Sequence, residues 1–317
     1  MTGWDEFWRE SGAEASFIGS SGTHPELVQY WTEFFAKQEL VPSESRCIDI
    51  ASGSGIVIQS ASDYFGNRMP LYSGLDISDA AVQQLTARFP SVTGVVADAT
   101  SIPLDSYSFE LVTSNFGVEY AGRKGILEAA RLVAVGGNLA FVLHCRPGVI
   151  YDECSTSLQV VDRVRQARLL TLANKMFRAG FAVARGAERH NYDRAVHKFK
   201  PAFRVLEKSI SKYGEGVASG FVLRLHADLE RISQNLQKYD SREVAVWLGQ
   251  LDRELLAYRN RMKSMTDAAI AQRTLDRVGT ELCAAGFTLI DVSPILDPVH
   301  SKQLAWSLQA RRNSASS

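Results

Sequence analysis

An acidic residue inside a short apolar run, followed at once by a glycine turn, constrains the fold of this chain more than any other feature. The run covers residues 47–50 (CIDI), and the turn covers residues 51–55 (ASGSG). In a parallel α/β sheet the first strand ends at the ligand crevice, and glycines there let the backbone approach a ligand before a helix begins. The pattern therefore predicts a first strand, a ligand-binding turn and a helix that starts at about Ile56.

Three kinds of nucleotide ligand use such a turn, and the neighbouring residues separate them. A phosphate-binding P-loop closes its glycine run with Lys and then Ser or Thr, whereas Ile56 and Val57 follow Gly55. The dinucleotide fingerprint needs a third glycine at the position of Ile58, and the Asp49 carboxylate would repel a pyrophosphate. Asp49 suits a ligand with an ammonium or sulfonium charge, and S-adenosylmethionine carries both.

Two further acids follow apolar runs downstream. Residues 70–78 (PLYSGLDIS) are predicted to form a second strand that ends in Asp76, where a carboxylate bonds ribose hydroxyls. Residues 92–96 are predicted to form a third strand, which Asp98 and Ala99 follow. At that position an acid accepts a hydrogen bond from an adenine amino group, while the next backbone N–H meets a ring nitrogen.

Residues 46–144 resemble the core of class I S-adenosylmethionine-dependent methyltransferases, in the small-molecule branch. The resemblance rests on five segments: residues 47–55, GLDIS at 74–78, ADATSIPL at 97–104, FELV at 109–112, and the Gly-Gly turn at 136–137 before an apolar run at 138–143. The family most often has glycine at the position of Ala51, but alanine is small enough that we expect the turn to survive. The resemblance implies that Asp49 and the turn hold the methionine end, Asp76 the ribose and Asp98 the adenine.

We expect the cofactor to be S-adenosylmethionine, with S-adenosylhomocysteine as its product. The residues expected to contact it lie at the ends of the first four strands: Asp49, Ala51, Ser52, Gly53, Gly55, Asp76, Ile77, Asp98, Ala99, Asn115 and Phe116. The four cysteines show no C-x-x-C spacing, so neither a zinc site nor a disulfide framework is predicted, and no metal is expected.

The predicted fold is α/β, a doubly wound Rossmann-like sheet of seven strands in the order 3-2-1-4-5-7-6, with strand 7 antiparallel and a large helical insertion after strand 5. Residues 287–292 and 304–308 match the closing antiparallel pair of the family. The predicted organisation is an N-terminal helical cap at 1–45, a cofactor-binding domain at 46–150 and 266–312, a helical insertion at 151–265 and a disordered tail at 313–317. The insertion is predicted to serve as a lid, as a substrate-binding element or in dimerisation.

The insertion and the stretch that follows it carry helical patterns. One helix is predicted over residues 155–179 with Gly180 as its stop, and Thr266 with Asp267 is predicted to cap a last helix that reaches Ala285. Apolar residues spaced alternately four and three predict a helix-against-helix seam, at Val244, Leu248, Leu251, Leu255, Tyr258, Met262 and Met265. The seam is either an intramolecular hairpin with the preceding helix, which we favour, or a homodimer contact.

The charge of the chain is zero in total but unevenly distributed. Residues 1–150 contain 9 basic and 17 acidic residues, and residues 163–212 contain 13 Lys or Arg against 3 acids. Such a basic run is usually a solvated helix face, and the alternatives are attraction of an anionic substrate, an acidic carrier protein, or docking on the chain's own acidic half. Nucleic acid is not favoured, because the run has few aromatic residues for base stacking. The chain also lacks the Asn/Asp-Pro-Pro-aromatic and Pro-Cys motifs typical of nucleobase methyltransferases.

The sequence shows neither a membrane span nor a secretion signal. No run approaches the roughly 18 apolar residues of a membrane helix. Residues 1–6 lack a basic region followed by an apolar stretch. A cytoplasmic location is therefore predicted.

Methyl transfer from a sulfonium is an in-line displacement, so the protein must align the acceptor, exclude water and in some reactions remove a proton. Candidate residues lie at the ends of strands 4 and 5. His144 is the best base by its intrinsic pKa and Glu119 is the next, while Tyr120 and Tyr151 would orient the acceptor. Arg146 would pair with an acceptor carboxylate or phosphate, or with Glu119 or Asp152 of the chain itself.

Together these features predict an S-adenosylmethionine-dependent methyltransferase that acts on a small molecule at oxygen, with the insertion shaping the acceptor pocket. One alternative is a carrier-bound or macromolecular anionic substrate recruited by the basic helices. Another is a non-catalytic S-adenosylmethionine-binding partner subunit. The sequence leaves open the identity of the acceptor, the choice between oxygen, nitrogen and carbon, and the need for a general base.

Overall fold

The computed structural model describes Trp4, Trp8 and residues 24–297 and 301–314. Most of the predicted N-terminal cap before His24 lies outside these residues, as do the last three positions of the predicted tail. No helix in the described ranges is both long enough and apolar enough to cross a bilayer.

One sheet of seven strands forms the centre of the fold, in the order β3-β2-β1-β4-β5-β7-β6. The first five strands pair parallel with one another, whereas β7 is antiparallel to both β5 and β6. This confirms the predicted α/β class, the strand order and the direction of strand 7. The strands are β1 Arg46–Ile50, β2 Leu71–Asp76, β3 Thr93–Val96, β4 Phe109–Asn115, β5 Val133–His144, β6 Phe287–Asp297 and β7 Lys302–Arg312.

The described part of the chain contains ten α-helices, not counting short 3-10 turns and the helical positions Trp4 and Trp8. They are α1 Pro25–Phe35, α2 Ile56–Phe65, α3 Asp79–Arg88, α4 Gly122–Arg131, α5 Val149–Gln166, α6 Leu169–Ala184, α7 His190–Tyr213, α8 Phe221–Gln234, α9 Ser241–Ala268 and α10 Gln272–Ala284.

The central strand β1 fixes where the candidate site lies. Its residues Ile48 and Ile50 are fully buried, as expected for a parallel strand covered on both faces. Asp49 lies between them, opposite Gly74 of β2 and Thr113 of β4. Because all three strands are parallel, their carboxyl ends meet at one edge of the sheet, and the turns that follow them are neighbours.

Two compact units make up the chain, residues 1–152 with 264–317, and residues 153–263. The second unit has its own apolar core, which α6, α7 and α8 supply with fully or nearly fully buried side chains such as Phe177, Leu206 and Leu229. The helical insertion was predicted at residues 151–265, and the second unit covers residues 153–263. Its role as a lid or substrate-binding element remains a proposal.

Three predicted helix boundaries are wrong. The helix predicted over 155–179 is two helices, separated at Arg168, which has φ +55°. Gly180 does not stop a helix but lies inside α6, where a Cβ would be 2.6 Å from Leu236 Cδ1. Glycine there lets the Leu236 side chain pack directly on the helix backbone. Thr266 and Asp267 do not cap a helix start, because they belong to the last turns of α9, and α10 begins only at Gln272.

The seam predicted on α9 packs within the chain over its first half. Val244, Leu248 and Leu255 are buried in the same apolar cluster as Leu225 and Leu229 of α8. The intramolecular interpretation therefore describes this part of the seam. A homodimer contact through the insertion remains a proposal without support from these residues.

Candidate functional site

The turn after β1 is built from left-handed backbone. Ala51 has φ +52°, Gly53 φ +51° and Gly55 φ +86°. Glycine adopts this region without strain, whereas an alanine there costs about 1–2 kcal/mol. The turn thus forms with Ala51 at the position where the related family most often has glycine, and it carries a modest local strain.

Close approaches explain why two of these positions are glycine. A Cβ on Gly53 would lie 2.6 Å from Cζ2 of Trp8, whose ring is buried against the turn. A Cβ on Gly55 would collide with Leu85 of α3. The turn is consequently held between an N-terminal indole and the helix that follows β2.

Asp49 is a fully buried carboxylate beneath the turn. Thr113 Oγ1 donates a hydrogen bond to its Oδ1 at 2.9 Å, and no cation of the described residues forms an ion pair with it. Burial raises the pKa of Asp49 from 3.8 to about 7; the Thr113 hydrogen bond opposes this shift and the negative charge of Asp76 adds to it. A buried acid without a cation of its own is suited to a cationic ligand.

Asp76 connects the end of β2 to the turn. Its Oδ2 accepts the backbone N–H of Gly53 at 2.9 Å, and its Oδ1 accepts that of Ser78 at the same distance. Burial raises the pKa of Asp76, while these backbone hydrogen bonds lower it in part. The next residue, Ile77, is 45% exposed, which leaves an apolar side chain beside the carboxylate at the edge of the sheet.

Asp98 follows β3 and is the exposed member of the three acids. It accepts the backbone N–H of Thr100 at 2.7 Å, and this bond lowers its pKa. The segment is tied to β2, because the Ala97 N–H donates to the Asp76 carbonyl at 3.0 Å. Ala99 is buried beside it. The structure thus brings the ends of β1, β2 and β3 together.

These residues fit S-adenosylmethionine. Two buried carboxylates lack a cation among the described residues, and the cofactor would bring a sulfonium and an ammonium group. Asp98 has an exposed carboxylate that a polar edge of a base can reach. Ser52, also predicted to contact the cofactor, has a buried Oγ without a hydrogen-bond partner in the described residues.

A buried histidine and glutamate lie at the ends of β4 and β5. His144 Nδ1 is 2.7 Å from Oε1 of Glu119, and the backbone N–H of His144 donates to the same oxygen at 3.0 Å. Both side chains are buried, and Glu119 Oε2 has no partner among the described residues. Since a carboxylate only accepts, we assign the proton to Nδ1, which leaves Nε2 of His144 as an acceptor.

Aromatic rings surround His144. The Phe116 ring lies 4.2 Å from the imidazole, centroid to centroid, and Tyr120 meets it edge-on at 5.8 Å. Trp4 in turn meets Tyr120 at 5.2 Å. The loop that carries Phe116 also touches the turn after β1, because a Cβ on Gly117 would be 2.6 Å from Cβ of Ala51. The histidine pair is thereby linked to the turn through a single loop.

Two of the predicted residues have roles within the chain that the sequence did not indicate. Asn115 Oδ1 accepts a hydrogen bond from the Trp31 indole at 3.0 Å, which anchors α1 to the end of β4. Arg146 is exposed, forms no ion pair with Glu119, and places its guanidinium 6.0 Å from the Tyr151 ring. It therefore remains available to an anion.

Sequence reasoning missed the partner of Asp49. Thr113 lies in the middle of a buried strand, and a hydroxyl in such a run is a signal that a neighbouring strand carries a polar group to satisfy. The aromatic N-terminal residues Trp4 and Trp8 indicate packing over the cofactor or on the sheet, but no spacing rule connects the Trp8 indole with Gly53.

Comparisons with known proteins find similarity over the predicted cofactor-binding segment of the chain. A family model described as a methyltransferase domain (Methyltransf_11) matches residues 48–141. A malonyl-[acyl-carrier protein] O-methyltransferase of Salmonella typhimurium is 32% identical over 103 residues, which is 32% of this chain and 40% of that protein. The similarity thus spans well under two thirds of that relative.

Similar solved structures include a phosphoethanolamine N-methyltransferase of Haemonchus contortus in complex with phosphoethanolamine and S-adenosylhomocysteine. Its sequence identity to this chain is 15% and its TM-score is 0.37, and the alignment covers 45% of this chain and 31% of that one. Another is an S-adenosylmethionine-dependent methyltransferase of Mesorhizobium loti, at 20% identity and a TM-score of 0.33, covering 42% and 58%.

Proposed function

Given that this chain carries a class I S-adenosylmethionine-dependent methyltransferase domain with S-adenosylmethionine as its cofactor, we propose that it methylates an oxygen atom of a small molecule. The observation that carries the proposal is the buried His144–Glu119 pair beside the cofactor turn. It supplies a base where an acceptor hydroxyl would lose its proton.

The cofactor assignments follow from the chemistry of each strand end. Asp49 would face the cationic methionine end, with the backbone of Gly53 and Gly55 allowing close approach. Asp76 would accept from the ribose hydroxyls, and Asp98 would accept from the adenine amino group. When bound, S-adenosylmethionine supplies an electrophilic methyl group on a sulfonium.

His144 acts as the general base of this proposal. Its Nε2 accepts the proton of the acceptor hydroxyl as the oxygen bonds the methyl carbon and the carbon–sulfur bond breaks, and the proton later passes to water. Glu119 is a positioning residue, since it fixes the Nδ1–H tautomer and stabilises the imidazolium that forms. A base in this role typically contributes about 10²–10⁴-fold to the rate.

The acceptor surface includes Tyr120 and Phe116, which limit how water reaches His144. Arg146, exposed two residues beyond the base, would bind a carboxylate or phosphate of the acceptor.

A carboxyl group on a carrier protein is the second candidate acceptor. The match to a malonyl-[acyl-carrier protein] O-methyltransferase and the basic run at 163–212 favour it. A carboxylate is already deprotonated at neutral pH, so its methylation needs no base. The two candidates therefore differ in their dependence on His144.

Replacing His144 by Ala tests the proposal. With a hydroxyl acceptor identified by mass spectrometry of small molecules that copurify, kcat should fall about 10²–10⁴-fold while the affinity for S-adenosylmethionine changes less than about twofold. His24→Ala, which removes an imidazole outside the site, should leave both unchanged. An unaltered kcat in His144→Ala would remove the base and favour a carboxylate acceptor. Cofactor binding without turnover of any acceptor would favour a non-catalytic subunit.

A further inference from the structure

α7 presents two opposite faces. Phe199, Ala202, Leu206 and Ser209 are buried and belong to the side packed into the second unit. On the exposed side, every fourth residue is a cation, and we call Lys200, Arg204, Lys208 and Lys212 the basic face of α7. Four residues advance an α-helix by about 6 Å and rotate it by only about 40°, so these cations form a line about 18 Å long.

A groove runs beside the end of this line, between α5 and α7. Its volume is about 400 Å³, and its lining residues are Arg163, Gln166, Val205, Lys208, Ser209 and Lys212. At its end, Arg163 donates to the Tyr213 hydroxyl at 3.4 Å, and the Lys212 ammonium lies 4.8 Å from that ring. Hydrogen bonding from Lys212 and then from Arg163 lowers the pKa of Tyr213, as expected in a positive potential.

The positive charges of the basic face are not neutralised within the second unit. The ion pairs recorded within the fully described stretch 153–263 lie elsewhere, between Arg165 and Asp252, Arg189 and Asp193, Arg231 and Asp228, and Arg259 and Asp162. α7 has two exposed acids. Asp193 is paired with Arg189, and Glu207 directly precedes Lys208 of the basic face without belonging to its every-fourth-residue spacing. Like charges at i and i+4 destabilise a helix, so folding alone does not account for this line.

We propose that the basic face of α7 is a docking surface for an acidic helix of a partner protein. A helix with carboxylates at every fourth position has the same spacing of about 6 Å as the basic face. Its line of charge turns by the same 40° per step, so the long Lys and Arg side chains meet successive carboxylates where the two helices cross. The groove beside Arg163 and Lys212 gives the end of such a helix a place to enter. This surface goes beyond the proposed methyl transfer and does not rest on it.

Extended polyanions fit this surface less well. The line is one residue wide, whereas a nucleic acid or an anionic membrane presents negative charge over a larger area. The chain has no net charge, so it has no overall electrostatic attraction for such a surface. The basic face itself contains no aromatic residue for base stacking. A partner with a single line of carboxylates needs only the four cations that this face presents.

The test is fluorescence anisotropy of the full chain with a labelled, side-chain-stapled alanine-rich peptide of about 18 residues that carries glutamate at every fourth position. The same peptide with glutamine is the ligand control. The protein variant reverses three charges of the basic face (Arg204→Glu, Lys208→Glu, Lys212→Glu). Its matched control reverses three exposed cations elsewhere in the second unit (Lys238→Glu, Arg242→Glu, Arg253→Glu). Circular dichroism shows whether each variant is folded, and a charge-neutral variant (Arg204→Gln, Lys208→Gln, Lys212→Gln) replaces the first if it is not.

The glutamate peptide should bind, with an affinity that falls as salt rises from about 50 to 200 mM. Reversal of the basic face should weaken binding by about tenfold or more, and the control variant should bind within about twofold of the natural chain. Equal binding of the glutamine peptide, or unchanged binding by the basic-face variant, would overturn the proposal. So would tighter binding of duplex DNA or phosphatidylglycerol vesicles than of the glutamate peptide.

Discussion

Cofactor binding should release a proton from Asp49. The pKa of this buried carboxyl is about 7 in the free protein, and the positive methionine end of S-adenosylmethionine should lower it well below that value. Below pH 7 the free protein holds the proton, which must leave before the carboxylate can face the cationic ligand. Affinity should therefore rise with pH and approach a plateau above pH 7.

The size of the effect follows from the fraction of ionised carboxyl. With a pKa of about 7, roughly 3% of Asp49 is ionised at pH 5.5 and roughly three quarters at pH 7.5. The Kd for S-adenosylmethionine should thus fall about 25-fold over these two units. Calorimetry at pH 6 in buffers of different ionisation enthalpy should detect the release of about 0.9 proton for each cofactor bound, in addition to any contribution from Asp76.

Two variants isolate the contribution of Asp49. Asp49→Asn removes the titrating group, so it should bind S-adenosylmethionine weakly and release about 0.9 proton less than the natural chain at pH 6. Thr113→Val removes the hydrogen bond that lowers the pKa of Asp49, so the midpoint of its profile should move to higher pH. A Kd constant within about twofold from pH 5.5 to 7.5 in the natural chain would refute the reasoning. So would identical proton release by Asp49→Asn.

The raised pKa of Asp49 also affects the stability of the protein without cofactor. A carboxyl whose pKa rises on folding binds more protons in the native than in the unfolded state between its two pKa values. Its contribution to stability is therefore lost as pH rises from 3.8 through about 7, by an amount on the order of 4 kcal/mol. Without cofactor, Asp49→Asn should accordingly be more stable than the natural chain at pH 8, as measured by urea unfolding.

The turn itself supplies two further predictions. Gly53→Ala should reduce S-adenosylmethionine affinity at least about tenfold, because its Cβ would meet the Trp8 ring at 2.6 Å with the backbone at φ +51°. Calorimetry measures this affinity, and Gly66→Ala, an open position of positive φ, is the matched control. Equal cofactor affinities of the two variants would contradict the prediction. Ala51→Gly should raise the free energy of unfolding by up to about 1 kcal/mol, because glycine relieves the strain of φ +52°; a loss of stability in urea unfolding would contradict this.

The sheet could be predicted from the sequence because each strand end carries its own chemical signal. Asp49, Asp76 and Asp98 follow three apolar runs in succession, and parallel strands place such ends at one edge. The last two strands are longer than predicted, reaching Asp297 and Arg312, because antiparallel pairing continues after the apolar alternation has ended. The length of a paired strand depends on its partner strand, and a local sequence pattern gives no information about that partner.

The helix boundaries in the second half were harder to predict for a related reason. Gly180 resembles a helix stop in sequence, but in the structure it allows Leu236 to approach the α6 backbone. The break at Arg168 has neither glycine nor proline, so tertiary packing rather than local propensity determines it. Contacts between residues distant in sequence decide both positions.

The candidate site was predicted as residues rather than as contacts. His144 and Glu119 were each identified as possible bases, and the structure places their side chains 2.7 Å apart. The proposed function therefore gives them different tasks, with Glu119 positioning the ring and His144 accepting the proton. Spacing in the sequence cannot reveal this, because the two residues belong to different strand ends. The sequence of the insertion indicates its helices and its positive charge, but it does not indicate which molecule accepts the methyl group.

A crystal structure of the protein with S-adenosylhomocysteine tests the central claim most directly, namely that the ends of β1, β2 and β3 hold the cofactor. We expect the ribose hydroxyls within hydrogen-bond distance of Asp76, the adenine amino group at Asp98, and the homocysteine end over Gly53 and Gly55 above Asp49. A ligand bound elsewhere, or bound at this edge with its ribose away from Asp76, would contradict it.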